Sequence, residues 1–153
     1  FLFKLHVSFP NEDQILEILR RTTSDVETTI DEIVDAEAIK WMRELVRRVP
    51  IAEHVERYIV RLVRLTHPDH PDAPEIVRHY VELGASIRAV QAIALTAKNK
   101  ALLNGRYNVA FDDVQAVALP ALRHRILLNF EGEGEEIKTD EIVKHVLETL
   151  AEA

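Results

Sequence analysis

One arginine stands where an anion can bind. Arg88 follows Ser86 by two positions, and Ser86 is a candidate N-cap for an alanine-rich helix predicted over residues 86–103. Free N–H groups and the helix dipole make a cation unfavourable in a first helical turn unless an anion binds beside it. The guanidinium and these N–H groups can together hold a phosphate, with Gly84 and Ala85 leaving the approach open. Alternatively, Arg88 points into solvent or pairs with an acidic neighbour.

Histidine and aspartate residues cluster in a proline-rich segment further upstream. The candidates are His67, Asp69, His70, Asp72 and His79. Imidazole and carboxylate groups can ligate a divalent metal. Proline-rich loops more commonly use such residues for turn geometry, so we expect no metal site here.

A second group of cations lies on the helix predicted over residues 52–66. Its outward positions are Arg57, Arg61 and Arg64, with Arg47 and Arg48 nearby. They could contact nucleic acid or a neighbouring subunit, but we expect a solvated face paired with Glu53 and Glu56. The tripeptide Arg123-His124-Arg125 lies in the last part of another predicted helix, where the dipole favours cations.

Composition limits the classes of function. The chain has 153 residues, with 19 Lys and Arg against 26 Asp and Glu, so the formal net charge is −7. This balance argues against generic nucleic-acid binding, and a hydrophobic content of 47% predicts one globular domain with a real core. The absence of cysteine excludes disulfides and thiolate chemistry and favours a reducing cytoplasm. No apolar run reaches 18 residues, and the four glycines do not form a phosphate-binding loop.

The elements that must position these residues are almost entirely helical. Apolar spacing and helix caps predict helices over about 12–22, 36–48, 52–66, 74–81 and 86–103, another opened by Asp112 and Asp113 and restarted at Pro120, and a terminal one from Thr139 or Asp140. Asn11 is the candidate N-cap of the first helix, and Asn104-Gly105 is a stop for the helix over 86–103. The apolar positions are Val55, Ile59, Leu62 and Val63 in the third helix, which face inward, and Ile142, Val143, Val146, Leu147 and Leu150 in the terminal helix. We expect Trp41 and Met42 in the core. Residues 131–136 form an acidic, glycine-interrupted linker. The fold class is therefore an all-α compact helical bundle.

The first nine residues differ from the rest. Apolar residues occupy every odd position from Phe1 to Phe9, which is the period of a half-buried strand that Pro10 ends. A lone strand leaves its backbone groups unpaired. We therefore expect this short N-terminal strand to belong to a missing α/β domain that precedes the chain.

The order of several short motifs resembles a known family. Gly84-Ala85-Ser86-Ile87-Arg88, the alanine-rich helix with Lys98, Gly105-Arg106, Val109-x-x-x-Asp113-Val114 and Leu122-Arg123-His124-Arg125 are similar to the C-terminal part of MoxR-type AAA+ ATPases. Phe1-Leu2-Phe3-Lys4-Leu5 and Phe9-Pro10 resemble the segment that ends the large nucleotide-binding subdomain of that family.

The resemblance implies a helical lid. Arg88 matches the sensor 2 arginine, which contacts the γ-phosphate of ATP, so Gly84, Ala85, Ser86 and Arg88 become the cofactor-binding candidates and Arg88 contributes to catalysis. ATP and Mg²⁺ would be held mainly by the missing P-loop subdomain. Ile87 replaces the proline that usually precedes this arginine; proline there only pre-organises the helix start.

The resemblance also implies an organisation and partners. Residues 1–10 would connect to the absent subdomain, 11–130 would form the lid, and 131–153 would add a linker and a helix packed on it. Partners would be its own P-loop subdomain, neighbouring subunits in a hexameric ring, and a von Willebrand factor A-domain protein, in chaperone-like remodelling in the cytoplasm. No nucleic acid, membrane span or metal is expected. Arg123, His124 and Arg125 become inter-subunit or nucleotide-proximal candidates.

The chain alone lacks the groups that bind and cleave ATP, so we expect no ATPase activity from it in isolation.

Two other functions stay open at this point. An independent helical protein-interaction module is one alternative. A helical DNA-binding regulator that uses the three-arginine face is the other, and it predicts steeply salt-dependent binding to duplex DNA.

Overall fold

The computed structural model describes residues 1–25 and 30–151, and over these ranges the chain is a helical bundle with one very small sheet. Eight helices are present: α1 (Glu12–Thr23), α2 (Ala36–Arg48), α3 (Glu53–Arg64), α4 (Glu75–Tyr80), α5 (Ile87–Leu103), α6 (Phe111–Leu122), α7 (Phe130–Gly134) and α8 (Thr139–Ala151). The all-α prediction is confirmed. No helix of the described segments is both long and apolar enough to cross a membrane.

Helix boundaries follow local chemistry. Asn11 caps α1 in a reciprocal capping box with Gln14, as the sequence predicts for the cap. The helix α5 ends at Asn104, followed by Gly105 at φ 71°. There the N–H groups of Gly105 and Arg106 bond back to the carbonyls of Leu102 and Ala101, each at 2.9 Å. This is a Schellman motif, which uses the left-handed freedom of glycine to satisfy the last carbonyls of the helix.

The core lies around α5 and α6. Ala89, Ala97 and Ala101 of α5 are fully buried, and these small side chains allow α6 to pack closely against α5. The helices α3 and α2 also contact α5, while α8 packs on α6 and α3. The predicted inward face of α3 is confirmed, because Val55, Ile59, Leu62 and Val63 are all buried. The apolar positions of α8 also face the core, where Ile142, Val143, Val146 and Leu150 are buried and Leu147 is partly buried.

The first two helices do not contribute to this core. No residue of α1 or α2 is buried, although both helices are strongly amphipathic. The prediction that Trp41 and Met42 lie in the core is wrong for the described chain, because their exposed fractions are 61% and 45%. Helical periodicity identified an apolar face correctly, but the described residues leave most of that face exposed.

A small antiparallel sheet was not predicted. It pairs β1 (Val81–Leu83) with β2 (Leu127–Leu128), in the register Val81 to Leu128 and Leu83 to Leu127. The sheet joins the end of α4 to the segment after α6, and β1 ends immediately before Gly84. Two and three residues are too few to show a strand period in the sequence.

Two predicted segments differ in detail. Residues 131–136 are not simply a linker, because Asn129 caps the short helix α7 and Gly132 of α7 is buried against Tyr80. Pro120 lies inside α6 rather than at a restart, and α6 ends at Leu122, so Arg123-His124-Arg125 follow the helix instead of forming its last part.

The N-terminal segment forms no strand with any other part of the described chain. Residues 1–10 are neither helix nor strand, and the N–H of Lys4 donates to the carbonyl of Pro120 in α6 at 2.9 Å. Phe3 is partly buried against the core, whereas Val7 and Phe9 are almost fully exposed. The first four residues therefore contact the end of α6.

Candidate functional site

The loop before α5 is anchored by the end of α3. Thr66 is completely buried, and its hydroxyl donates to the carbonyl of Val63 at 2.6 Å while accepting the N–H of Ala85 at 2.9 Å. The Nε2 atom of His67 lies 3.0 Å from the carbonyl oxygen of Ala85. Both backbone polar groups of Ala85 are thus satisfied by neighbouring side chains, which fixes the loop that leads into α5.

Gly84 allows this close approach. A Cβ atom at position 84 would lie 2.7 Å from the imidazole carbons of His67 and 2.7 Å from the carbonyl oxygen of Thr66. Any side chain would therefore push the loop away from α3. The glycine of the Gly-Ala-Ser-x-Arg motif has a packing role that sequence alone did not reveal.

Arg88 projects from the first turn of α5. Its side chain is exposed and forms no hydrogen bond or ion pair with the residues of 1–25 and 30–151. Ser86 occupies the N-cap position, as predicted, but its side chain makes no capping hydrogen bond. The N–H of Ala89 donates to the carbonyl of Ser86 at 2.8 Å, whereas the N–H groups of Ile87 and Arg88 have no acceptor among the described residues. A guanidinium lies beside these two groups, which is an arrangement suited to an anion.

A groove runs beside this helix start. It has a volume of about 780 Å³, its apolar walls come from Val60, Val63, Ile87 and Val90, and its polar lining comes from Arg64, His67, Ser86 and Arg88. Apolar walls with a few charged groups suit a ligand that has an apolar part and an anionic part. The structure thus brings together all four predicted cofactor-binding residues at one end of α5, with Gly84 and Ala85 forming the loop beneath Ser86 and Arg88.

The arginines of α3 line a second, adjacent groove of about 600 Å³. Arg57 pairs with Glu53 at 2.6 Å, as expected for a solvated helix face. Glu53, Glu56 and Asp72 alternate with the cations on this surface. A face so divided in charge is poorly suited to a phosphate backbone.

The histidine and aspartate segment forms no metal site in the described ranges, where no group of three or more candidate ligands is found. His67 instead contacts Ala85, and the Nδ1 atom of His70 accepts the N–H of Asp72 at 3.2 Å. His79 lies 3.2 Å from Glu131. The residues that sequence reasoning considered as ligands thus mainly form local turns and loop anchors.

The tripeptide Arg123-His124-Arg125 lies away from the groove and contributes nothing to its lining. Arg123 forms a two-bond pair with Asp140 of α8, with both N···O distances at 2.9 Å. Both ring nitrogens of His124 are buried without a hydrogen-bond partner in the part of the chain that is described. Burial, reinforced by the charge of Arg125, lowers the pKa of His124 below its ordinary value.

The ion pair between Arg106 and the buried Asp113 was not predicted from the sequence. Asp113 is only 1% exposed and accepts two hydrogen bonds from the guanidinium of Arg106, at 2.6 and 2.5 Å, and one from the N–H of Ala110, at 2.9 Å. The pair joins the residues after α5 to the first turn of α6. The position of Asp113 shortly after the end of α5 indicated a helix cap. Its partner Arg106 is a tertiary contact that the spacing does not reveal.

Comparison with known proteins identifies relatives of this chain. Residues 73–146 match the AAA lid domain family. The chain is 29% identical to the chaperone MoxR1 of Mycobacterium tuberculosis over 99% of its own length and 40% of that protein. It is 30% identical to the uncharacterized protein YeaC of Bacillus subtilis over 98% of its own length and 44% of that protein.

A solved structure has the same fold. The crystal structure of a proposed ATPase from Cytophaga hutchinsonii superposes with a TM-score of 0.89 at 32% identity, over 97% of this chain and 46% of that one. The chain therefore spans less than half the length of the relatives it matches. The family match, the relative MoxR1 and the solved structure together support a C-terminal lid of a MoxR-type AAA+ ATPase.

Proposed function

We propose that this lid closes over ATP bound by a P-loop subdomain of the same protein, and that Arg88 contacts the γ-phosphate as sensor 2. The observation that carries the proposal is the guanidinium of Arg88 at the start of α5, which has no partner among residues 1–25 and 30–151 and lines a groove with apolar walls. A guanidinium beside free N–H groups stabilises the charge that develops during phosphoryl transfer.

The anchored loop supports this role. Thr66 and His67 hold Ala85 from the end of α3, so the first turn of α5 has a fixed position relative to the groove. Catalytic stabilisation of charge requires such pre-organisation, because a mobile arginine would lose entropy on each turnover. Ile87 is 77% exposed and serves as a groove wall rather than a core residue, so the absence of proline leaves the helix start intact.

The exposed apolar faces indicate where the P-loop subdomain would pack. Ile15, Leu16, Ile18 and Leu19 of α1 are between 41% and 54% exposed, and Ile39 and Trp41 of α2 are comparably open. Contiguous apolar surface of this kind marks an interaction site. We assign residues 1–10 to the connection with that subdomain and residues 11–130 to the lid. Residues 131–151 form a helical extension that packs on the lid.

Assembly and context follow from the same proposal. The lid would rotate on nucleotide binding and hydrolysis and pass the motion to the next subunit of a cytoplasmic hexameric ring. MoxR1 is described as a chaperone, and we extend chaperone-like remodelling to this protein, with a von Willebrand factor A-domain protein as its partner. ATP and Mg²⁺ would be held by the P-loop subdomain, so the 153-residue chain alone hydrolyses no ATP.

The test is the Arg88→Ala variant of the protein that contains both subdomains. Loss of one charge-stabilising donor lowers kcat by about 10²-fold or more. Arg88→Lys keeps the charge but loses the planar fork, so it restores only part of the rate. Lys144→Ala, which removes an exposed cation of α8 that lines neither groove, is the matched control and should keep full turnover.

Stability must be measured in parallel. Arg88 is exposed and forms no hydrogen bond or ion pair with the described residues, so Arg88→Ala should change the free energy of unfolding in urea by less than about 0.5 kcal/mol. Normal turnover in a correctly folded Arg88→Ala protein would contradict the sensor role.

A further inference from the structure

The first four residues of the chain are bound through their backbone to the region where α6 ends. The N–H of Lys4 donates to the carbonyl of Pro120 at 2.9 Å, and Phe3 packs partly against the core. These two contacts place the carbonyl groups of Phe1, Leu2 and Lys4 beside the tripeptide that follows α6.

Two arginines of that tripeptide donate to these carbonyls. Arg125 contacts the carbonyl oxygen of Leu2 through Nη1 at 3.0 Å and that of Phe1 through Nη2 at 2.5 Å. Nη1 of Arg125 also contacts the carbonyl of Ala121, at the end of α6. One planar guanidinium thus joins three carbonyl oxygens, and its donors lie in a fixed fork that a lysine ammonium does not have.

Arg123 extends the same network to the last helix. Its Nε and Nη2 atoms bind both carboxylate oxygens of Asp140, and its Nη1 atom donates to the carbonyl of Lys4 at 3.1 Å. The side chain is only 10% exposed, and Thr139 donates its hydroxyl to the backbone carbonyl of Arg123 at 2.9 Å. Each of the three guanidinium nitrogens of Arg123 therefore already donates a hydrogen bond within the lid, which reduces its capacity to bind a nucleotide or a neighbouring subunit.

We propose that Arg123 and Arg125 form a clamp that fixes residues 1–4 to the lid, so that this segment moves with α6 and α8 as one body. The clamp takes the place of the nucleotide-proximal role expected for these residues. Because it binds carbonyl oxygens, it holds the extended backbone whatever the side chains of residues 1–4 are. Arg123 and Arg125 are positioning residues.

The functional consequence rests on the proposed function. If a P-loop subdomain precedes the segment, lid rotation displaces residues 1–4 directly, and the clamp transmits motion between ATP and the ring without touching nucleotide. A lid whose first residues were free would rotate without moving the segment that connects it.

The clamp itself is tested in this chain by amide hydrogen exchange. The Lys4 amide should be protected in the parent chain, and Arg125→Ala should lower its protection by about tenfold or more, as expected for losing charge-assisted hydrogen bonds. Amides in the middle of α5 should exchange at the parent rate. Arg57→Ala, which removes an exposed arginine of α3, should leave the Lys4 amide unchanged.

Arg125→Lys keeps the charge and the aliphatic stem but loses the fork. It should also lower the protection of Lys4, and it decides the question if Arg125→Ala unfolds the chain. Parent-like protection of Lys4 in Arg125→Lys, or no protection of Lys4 in the parent chain, would overturn the clamp.

Transmission is tested in the protein that contains both subdomains, with Arg125→Lys. Loss of coupling predicts that kcat falls by about 2- to 30-fold while KM for ATP stays constant, because Arg88 is untouched. A rise in KM with unchanged kcat would instead assign Arg125 to nucleotide binding and overturn transmission. If the parent protein hydrolyses no ATP, the proposed function fails, whereas the exchange experiment still decides the clamp.

Discussion

Replacing Arg106 with alanine should destabilise the lid by about 3 kcal/mol, because it leaves the carboxylate of Asp113 buried and charged. Asp113 is 1% exposed and accepts two hydrogen bonds from Arg106 and one from the N–H of Ala110. Hydrogen bonds to charged groups contribute about 1.5–3 kcal/mol each, which gives roughly 3–6 kcal/mol for the two that are lost. Because the Arg106 side chain is 36% exposed, we expect the lower end of that range.

The measurement is urea unfolding at pH 7 followed by helical circular dichroism. The matched control is Arg57→Ala, which breaks an ion pair whose partners, Arg57 and Glu53, are 78% and 76% exposed. Exposed pairs contribute less than about 1 kcal/mol. If Arg106→Ala costs no more than Arg57→Ala, the argument that burial makes this pair important is wrong.

The pH dependence provides a second check on the same pair. Burial alone would raise the pKa of Asp113, but the hydrogen bonds from Arg106 and from the Ala110 N–H outweigh it, so its pKa lies below the ordinary value. Because the pKa of Asp113 is lowered in the folded state, its ionised carboxylate stabilises the fold at pH values above the unfolded-state pKa of about 3.9. This stabilisation is lost as the pH falls through the folded-state pKa. The stability difference between the parent chain and Asp113→Asn should therefore be constant above about pH 5 and shrink below about pH 4.

The remaining predictions concern the loop that presents Arg88. Gly84→Ala should destabilise the fold by about 1–3 kcal/mol in urea unfolding, because the added Cβ meets the imidazole of His67 at 2.7 Å. Gly134→Ala meets nothing within 4 Å, so it should be neutral or slightly stabilising, and equal effects of the two changes would contradict the steric argument. Thr66→Val should cost about 1–3 kcal/mol, since it leaves the N–H of Ala85 buried without an acceptor. Parent-like stability of Thr66→Val would show that this hydrogen bond contributes little.

Local rules predicted the elements whose information is local. The Asn11 cap, the Asn104-Gly105 stop and the inward face of α3 depend on residues within one or two turns, so a single sequence suffices to predict them. The resemblance of the short motifs identified the lid and the residue most suited to an anion. The start of α5 carries both a local helix-start pattern and a motif of the family, which explains why Arg88 could be singled out from the sequence.

Long-range contacts were beyond the sequence for a physical reason. Arg125 meets Leu2 at a separation of 123 residues, and no local pattern marks a carbonyl as the partner of a guanidinium. Periodicity likewise finds the apolar face of α2 but cannot say what covers it, so Trp41 was placed in the core although it is 61% exposed. His67 was considered as a metal ligand because spacing does not reveal the carbonyl of Ala85 as its partner.

Three polar contacts of the lid, here called anchors, lie at helix junctions. Thr66 and His67 fix the start of α5 to the end of α3, Arg106 and Asp113 join the end of α5 to the start of α6, and the pair of Arg123 with Asp140 joins the end of α6 to α8. Between these anchors, buried alanines let α5 and α6 pack closely without large interlocking side chains. Polar contacts depend on geometry more steeply than apolar ones, so they set the orientation of the helices, while the alanine interface supplies cohesion. The direction of Arg88 relative to residues 1–4 is thus set by a chain of anchored ends, and loosening any one junction should disturb it even though no substitution touches Arg88 itself.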